Sequence, residues 1–190
     1  MRKINEIFYS LQGEGFYTGA PAVFIRFSGC NLKCSFCDTD HRSFVEMSDE
    51  DILKEVKKYP CNRVVLTGGE PALSIDEAFI SMLHREGEFV SIETNGTIAL
   101  PGGIDWITCS PKTIPVKIQR MNEIKVVYQG QDMEPYEKIA TAYECFCSLQ
   151  PCDVNDEIKN ENNLTAAIEY IKSHPRWRLS LQTHKIINIR

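Results

Sequence analysis

The sequence predicts an α/β protein whose strands form an open, partial β/α barrel. Short runs of β-type residues recur along the chain, helical patterns separate several of them, and polar or glycine-rich clusters follow most runs directly. Strands that alternate with helices are typical of βαβ units and of a largely parallel sheet. A closed eight-stranded barrel typically needs about 250 residues, whereas this chain has 190. We therefore expect roughly six strands in a single domain over residues 1–190.

The first half of the chain shows the alternation clearly. An apolar run predicts a strand at Ala22–Ser28, which leads into a cysteine-containing loop. Ser48 can cap a helix whose apolar face extends to Tyr59. A second strand at Arg63–Thr67 is followed by an amphipathic helix at Ser74–Arg85. Two strand and helix pairs are therefore expected before residue 86.

The second half of the chain continues the alternation less regularly. The predicted strands are Phe89–Glu93, Trp106–Cys109, Ile124–Tyr128, Cys145–Leu149 and Arg178–Leu181. The predicted helices are Pro135–Ala142 and Asn163–Ser173. No helical pattern separates Trp106–Cys109 from Ile124–Tyr128, so one connection in the sheet is expected to lack a helix.

Composition and charge exclude several classes of function. Hydrophobic residues make up 43% and charged residues 25% of the chain, as in ordinary soluble globular proteins. The net charge of −5 argues against nucleic acid or an anionic membrane as the main partner. No run of signal-peptide or membrane-spanning length occurs, so we expect a cytoplasmic protein. In that reducing compartment the eight cysteines are expected to be thiols or metal ligands rather than disulfides.

Three of the cysteines, Cys30, Cys34 and Cys37, lie within a span of eight residues. Iron–sulfur clusters usually have four cysteine ligands, so three would leave one iron open for a small molecule. Zinc is the alternative, because His41 lies four residues beyond Cys37 and would complete a tetrahedral set of three cysteines and one histidine. The spacing alone leaves both alternatives open.

Several other clusters follow the predicted strands at their C-terminal ends, which carry the active site in barrel-like α/β proteins. One strand ends in Gly68-Gly69-Glu70-Pro71, where the missing Cβ lets the backbone approach a ligand closely. Arg26 lies in an apolar strand and can grip a carboxylate bidentately, although a half-exposed surface arginine is the alternative. The Gln-Gly-Glu-Gly run at 12–15 is typical of a flexible turn, and His184, after the last strand, is either structural or part of the site. We expect one pocket to gather these clusters.

The cysteine motif, taken together with a strand that ends in Gly-Gly-Glu-Pro, resembles the radical S-adenosylmethionine enzymes. Along most of its length the chain is similar to the 7-carboxy-7-deazaguanine synthase family. The matching stretches are Glu6–Gly15, Phe24–Phe27, Cys37–Thr39, Leu66–Pro71, Glu93–Gly96, Ser110–Lys112, Gln150–Pro151 and Leu181–Lys185. The resemblance implies a partial barrel of the radical S-adenosylmethionine type. It also implies a lyase that converts 6-carboxy-5,6,7,8-tetrahydropterin into 7-carboxy-7-deazaguanine with release of ammonia, on the route to queuosine and related deazapurines.

The resemblance also implies which residues bind which group. Cys30, Cys34 and Cys37 would hold a 4Fe-4S cluster, and Thr39 would ligate Mg²⁺, which also binds the substrate carboxylate. The S-adenosylmethionine contacts would be Phe36, Cys37, Asp38, Gly69, Ser110, Pro111, Lys112, Gln150, Pro151, Cys152 and Asp153. The substrate contacts would be Leu11, Gln12, Gly13, Glu14, Arg26, Thr67, His184 and Arg190, the last through its terminal carboxylate. No side chain is expected to abstract hydrogen, because the radical formed from S-adenosylmethionine does so.

The expected partners follow from the same resemblance. They are a small pterin substrate, an electron donor such as flavodoxin or ferredoxin, and a second copy of the chain in a homodimer. A glycyl-radical activase shares the cysteine and glycine motifs, but it would need a protein substrate and would not need Arg26 or His184. The non-enzymatic alternative is a zinc-stabilised binding module that includes His41.

Overall fold

The computed structural model describes residues 1–37, 39, 43–154 and 156–190. Within these ranges the strands are β1 (Arg2–Leu11), β2 (Pro21–Phe27), β3 (Val45–Met47), β4 (Arg63–Gly68), β5 (Phe89–Thr94), β6 (Trp106–Cys109), β7 (Glu123–Tyr128), β8 (Phe146–Pro151) and β9 (Trp177–Leu179). The helices are α1 (Asp49–Val56), α2 (Glu77–Arg85), α3 (Glu134–Tyr143), α4 (Glu157–Ser173) and α5 (Thr183–Ile186), and a single 3-10 turn covers Pro71–Leu73. None of the helices in the described ranges has the length and apolar character needed to cross a membrane.

The nine described strands form one sheet in the order β3-β1-β2-β4-β5-β6-β7-β8-β9. β1 pairs antiparallel with β2 and β3, whereas every pairing from β2 to β9 is parallel. As far as the chain is described, β3 and β9 do not pair with each other, so the sheet stays open between its two edges. This arrangement confirms the predicted open, partial barrel and adds two antiparallel strands to it.

The N-terminal strand β1 is the main element that the sequence pattern did not predict. Of its ten residues only Ile4 and Phe8 are buried, because Arg2, Lys3 and Glu6 interrupt the apolar positions. Its extended form depends on pairing with β2, seven positions of which lie opposite β1. Pairing between segments is a tertiary contact, which local alternation of residue types does not report.

An N-terminal cap moves the start of α2 away from the predicted position. The helix was expected from Ser74, but the Phe79 N–H donates a hydrogen bond to Asp76 Oδ1 at 2.8 Å and the helix begins at Glu77. The side chain of an N-cap residue satisfies a backbone donor that has no partner inside the helix. A separate 3-10 turn at residues 71–73 precedes the helix and directly follows the Gly-Gly-Glu motif.

The start of α4 differs from the prediction for the same reason. Asp156 accepts a hydrogen bond from the Lys159 N–H at 3.1 Å, so the helix begins at Glu157, six residues before the predicted Asn163. Apart from the exposed Ile158, the first two turns of the helix consist of polar residues, so the apolar periodicity becomes visible only later in the helix.

An aromatic cluster fills the end of the sheet where the parallel strands begin. The loop between β1 and β2 carries Phe16 and Tyr17 into contact with Trp106, with ring centroids 4.7 and 4.8 Å apart. The Phe16 N–H also donates to Glu123 Oε1 at 3.1 Å, deep in the sheet interior. One end of the partial barrel is therefore filled, and the C-terminal ends of the strands face the other end.

Candidate active site

A cavity of about 570 Å³ lies at the C-terminal ends of the parallel strands. Its volume is typical of pockets that enclose small molecules. The predicted site residues that line it are Leu11, Gln12, Gly13, Glu14, Arg26, Cys30, Cys34, Phe36, Cys37, Thr39, Thr67, Gly69, Ser110, Lys112, Gln150, Pro151, Cys152, Asp153, His184 and Arg190. Pro111 is buried and does not line it, while Asp38 and the alternative zinc ligand His41 lie outside the described residues. One cavity thus gathers the clusters from different strand ends.

The three clustered cysteines lie in the loop after β2. All eight cysteines of the chain are described, and none forms a disulfide. Burial raises the pKa of the Cys34 thiol, and negative charge on Cys37 and Cys30 raises it further while the Lys112 ammonium opposes both, as expected for sulfurs that lie near one another. In the described part of the chain, no three His, Cys, Asp or Glu side chains converge on a single ion position.

Two glycines allow the end of β4 to pack closely against the start of the cysteine loop. A Cβ on Gly69 would lie 1.9 Å from the carbonyl oxygen of Gly29, so no side chain fits there. Gly68 has a φ of +108°, which L side chains rarely adopt, and a Cβ there would meet the Phe27 carbonyl at 2.3 Å. The Gly69 N–H donates to Phe27 O at 3.1 Å and the Glu70 N–H to Gly29 O at 3.0 Å. The glycine motif therefore fixes the backbone from which the cysteines project.

Glu70 connects the end of β4 to the end of β5. Its buried carboxylate accepts hydrogen bonds from Thr94 Oγ1 at 2.7 Å, from the Asn95 N–H at 2.7 Å and from the Ala72 N–H at 3.1 Å. Burial raises the pKa of this carboxyl, and the three hydrogen bonds partly offset the effect. The third residue of the motif, Glu70, thus connects two neighbouring strand ends by hydrogen bonds.

Arg26 lines the cavity and is already paired with a carboxylate of the chain. Its Nε donates to Glu6 Oε1 at 2.9 Å, and about a quarter of each side chain is exposed. Arg190 bonds the second oxygen of Glu6, and both guanidinium groups lie over the Phe8 ring, at 5.6 and 5.3 Å from its centroid. We call these residues, Glu6, Phe8, Arg26 and Arg190, the arginine rim.

The Gln-Gly-Glu-Gly loop is held by hydrogen bonds rather than being a flexible turn. Gln12 exchanges backbone bonds with the segment before β2, its N–H reaching Ala20 O at 2.8 Å. Thr183 donates to the Gly13 carbonyl through both its N–H and its hydroxyl, each at 2.9 Å. A Cβ on Gly13 would lie 2.1 Å from His184 Nδ1, so the imidazole packs directly on this glycine. The loop and the C-terminal segment therefore form one wall of the cavity.

A buried lysine that the sequence reasoning did not single out lies at the centre of the site. Lys125 Nζ donates to Glu14 Oε2 at 2.6 Å and to Glu93 Oε2 at 2.9 Å. Burial acts against the charge of Lys125, but the two carboxylates together raise its pKa. Lys125 interrupts an otherwise apolar run in β7, which is the same signal that drew attention to Arg26. We call Lys125, Glu14 and Glu93 the carboxylate wall.

The pKa values of the two carboxyl groups of this wall are shifted in opposite directions. Although burial acts against ionisation of Glu14, the Lys125 charge lowers its pKa to about 2. Burial raises the pKa of Glu93 to about 7; the charge of Lys125 acts against this rise, and the negative charge of Glu14 adds to it. Perturbed carboxyl groups that face a cavity are typical of functional sites.

A second lysine, which is half-buried, lies nearer to the cysteines. Lys112 Nζ donates to Ser110 Oγ at 2.7 Å and lies 5.6 Å from the centroid of the Phe36 ring. Burial lowers its pKa, and the positive charge of Lys125 adds to that effect. The Ser-Pro-Lys segment after β6 thus places one cation between the cysteine loop and the carboxylate wall.

Comparisons with known proteins agree with this arrangement. The family model of the radical SAM superfamily matches residues 24–131. The 7-carboxy-7-deazaguanine synthase of Bacteroides thetaiotaomicron is 58% identical and covers 100% of both chains, and that of Bordetella pertussis is 42% identical over 98% of each chain. The crystal structure of QueE from Escherichia coli has a TM-score of 0.78 and 30% identity, over 96% of this chain and 94% of that one. The chain therefore belongs to the radical SAM superfamily and, within it, to the 7-carboxy-7-deazaguanine synthase family.

Proposed function

We propose that this protein converts 6-carboxy-5,6,7,8-tetrahydropterin into 7-carboxy-7-deazaguanine, a radical-mediated ring contraction that releases ammonia, in the biosynthesis of queuosine and related deazapurines. The observation that carries the proposal is the single cavity at the strand ends, which joins the cysteine loop, the glycine motif and the arginine rim. Full-length identity of 58% to a 7-carboxy-7-deazaguanine synthase supports the same reaction.

Cys30, Cys34 and Cys37 would hold a 4Fe-4S cluster, and three thiolates would leave one iron for S-adenosylmethionine. When bound, cluster and S-adenosylmethionine supply a 5′-deoxyadenosyl radical that abstracts hydrogen from the substrate. The donor set fits such a group, because the three thiols line one cavity and cysteine thiolates are the usual ligands of iron–sulfur clusters.

The cofactor contacts surround the cysteine loop. The backbone of Gly69 lies against that loop with no side chain between them. The residues proposed to hold S-adenosylmethionine are Phe36, Cys37, Asp38, Gly69, Ser110, Pro111, Lys112, Gln150, Pro151, Cys152 and Asp153. Pro111 would act by shaping the turn between Ser110 and Lys112 rather than through a cavity contact.

Arg26 would bind the substrate carboxylate by replacing Glu6 as its partner. A guanidinium presents two parallel N–H groups to a carboxylate, and such charge-assisted bonds are about twice as strong as neutral ones. Thr39, which lines the same cavity, would give its hydroxyl to Mg²⁺ together with the substrate carboxylate. Magnesium prefers oxygen ligands and keeps several waters, so one protein hydroxyl suffices.

The rest of the substrate would lie against the loop and the C-terminal segment. The proposed contacts are Leu11, Gln12, Gly13, Glu14, Thr67, His184 and the terminal carboxylate of Arg190. These residues orient the ring and exclude water, which protects reactive intermediates. We assign no hydrogen abstraction to any side chain.

Three further points belong to the same proposal. The protein would work in the cytoplasm, where reducing conditions preserve thiolate ligands. It would receive electrons from a donor such as flavodoxin or ferredoxin, and it would form a homodimer. The 190 residues would act as one domain.

The test is anaerobic reconstitution followed by turnover. We expect a brown protein containing iron and sulfide which, once reduced, converts the carboxytetrahydropterin to 7-carboxy-7-deazaguanine in the presence of S-adenosylmethionine and Mg²⁺. Formation of 5′-deoxyadenosine without the deazaguanine would contradict the substrate assignment. A colourless protein that contains zinc would contradict the enzyme assignment altogether.

A further inference from the structure

Lys125 lies between two carboxylates in the wall of the cavity. Its side chain is 6% exposed, and its Nζ is 2.6 Å from Glu14 Oε2 and 2.9 Å from Glu93 Oε2. It projects from the middle of β7, whereas Glu93 comes from β5 and Glu14 from the loop after β1. A single ammonium group therefore connects three separate segments of the chain.

The remaining oxygens of the two carboxylates are also hydrogen-bonded. Gln182 Nε2 donates to Glu14 Oε1 at 2.8 Å, and Gln12 Nε2 donates to Glu93 Oε1 at 3.2 Å. All four oxygens thus have a donor, which fixes the planes of both carboxylates. Each oxygen has a second lone pair, so a ligand in the cavity meets acceptor atoms in set positions.

The ion-paired cluster of Lys125, Glu14 and Glu93 costs free energy of folding if its only role is to stabilise the protein. Two carboxylates and one ammonium group removed from water carry a desolvation cost that their attraction only partly offsets. An apolar side chain of similar size, such as methionine, would fill the same space in β7 without that cost. The charges are therefore better explained by what they present to the cavity.

We infer that Lys125 is a positioning residue, which holds Glu14 and Glu93 as a rigid wall of hydrogen-bond acceptors against which the substrate ring is oriented. The inference rests on the proposed function. A pterin ring carries amino and ring N–H groups, and carboxylates accept hydrogen bonds from such donors. Glu14 stays ionised at neutral pH, in line with its pKa of about 2, so its oxygens remain acceptors.

The experiment measures substrate binding without turnover. The dissociation constant of the carboxytetrahydropterin is determined for the reconstituted protein with S-adenosylmethionine bound and no reductant. We expect Lys125→Met to raise it at least tenfold, which corresponds to about 1.4 kcal/mol, while the iron content stays unchanged. The matched control is Lys138→Met, because Lys138 is an exposed lysine on α3 that pairs with Glu134 at 2.8 Å.

A mutant cycle separates positioning from direct contact. If Lys125 acts only through the two carboxylates, the variant K125M/E14Q/E93Q binds the pterin within about twofold of E14Q/E93Q. A further tenfold loss in the triple variant would mean that Lys125 acts independently of both carboxylates, and it would overturn the inference. Because the triple variant leaves no unpaired charge among these three positions, it also covers the case in which K125M alone does not fold.

The inference and the proposed function fail in different ways. A wild-type protein that neither binds nor converts the pterin would overturn both. A wild-type protein that makes the deazaguanine, with a K125M variant that binds the pterin normally, would overturn the inference alone. Lys125 would then be a structural charge in the sheet interior.

Discussion

The arginine rim and the carboxylate wall are two charged regions of one cavity that differ in how firmly they are held. In the rim, Arg190 is 70% exposed and the Glu6 carboxylate accepts from both arginines. In the wall, Lys125 is 6% exposed, and glutamine side chains complete the hydrogen bonding of both carboxylates. The lysine at the centre of the wall is therefore shielded from water, whereas the outer arginine of the rim is not; the carboxylates of the two regions are similarly exposed, at 18% and 20% in the wall and 24% in the rim.

The difference indicates what each region can do during a reaction cycle. An ion pair that is partly exposed contributes little to stability, so Arg26 can exchange Glu6 for a ligand carboxylate at low cost. Breaking a buried pair leaves an uncompensated charge and costs several kcal/mol, so the wall keeps its geometry. One side of the cavity is therefore suited to exchanging partners and the other to orienting a ring.

The largest expected effect concerns the pH dependence of stability in the wall. The folded pKa of Glu93, about 7, is above its usual value of 4.5. A carboxyl group with a raised pKa contributes stability that is fully present below its unfolded pKa and is lost as pH rises through the folded one. Between about pH 4.5 and 7 we expect Glu93 to remove up to about 3 kcal/mol of stability from the wild type. Glu93→Gln cannot ionise and should lose none of it.

The measurement is the anaerobic unfolding temperature of wild type and E93Q across this pH range. Taking the difference between the two proteins cancels the titration of all other groups. The pKa of Glu14, about 2, lies well below this window, so its ionisation does not change there. Parallel curves for the two proteins would contradict an elevated pKa for Glu93.

The second prediction tests the rim through Arg26. We expect Arg26→Gln to lower kcat/KM for the pterin about 30-fold, or about 2 kcal/mol, because a charge-assisted bidentate bond to the substrate carboxylate is lost. Arg26→Lys should recover only part of this, since an ammonium group lacks the planar fork. The unfolding temperature should change little in either variant.

A matched control for this prediction is Glu6→Gln. It removes the resting partner of Arg26 and leaves the guanidinium in place, so substrate binding should be unchanged or tighter. If R26Q lowers the unfolding temperature strongly while kcat/KM stays normal, the ion pair with Glu6 is structural and Arg26 does not bind the substrate.

The sequence predicted the parallel part of the fold because local patterns report it. Buried parallel strands are continuous apolar runs, and each of the predicted strands from Ala22–Ser28 onward has a counterpart within two residues at either end. β1 was missed because its charged residues are accommodated by partners far along the chain, as when Arg2 pairs with Asp49 at 2.6 Å. Such contacts have no local signature.

The sequence predicted which residues line the site, but it did not predict the hydrogen bonds and ion pairs between them. Residues such as Gly69 and His184 were expected in the cavity, and both line it. The carboxylate wall was not expected, because a lysine in an apolar strand gives no sign of which carboxylates it will meet. Glu14 and Glu93 are 111 and 32 residues from Lys125 along the chain, and only the topology of the sheet brings them together.

The smallest expected effect tests the exposed end of the rim at Arg190. Its guanidinium bonds Glu6, and its main-chain oxygen accepts from Ser10 Oγ at 2.5 Å, so the last residue is held against β1 by two different groups. An exposed ion pair is worth less than about 1 kcal/mol, so Arg190→Ala should raise KM no more than about fivefold.

An extension beyond Arg190 distinguishes the side chain from the terminal carboxylate. A short Gly-Ser tail keeps the guanidinium but converts the terminal carboxylate into a neutral amide. If that carboxylate binds the substrate, the tailed protein should lose more activity than R190A, while its iron content and unfolding temperature stay at wild-type values. Full activity with the tail, together with a weakened R190A, would assign the contact to the guanidinium. The rim would then consist of two arginines that share Glu6 until the substrate carboxylate replaces it.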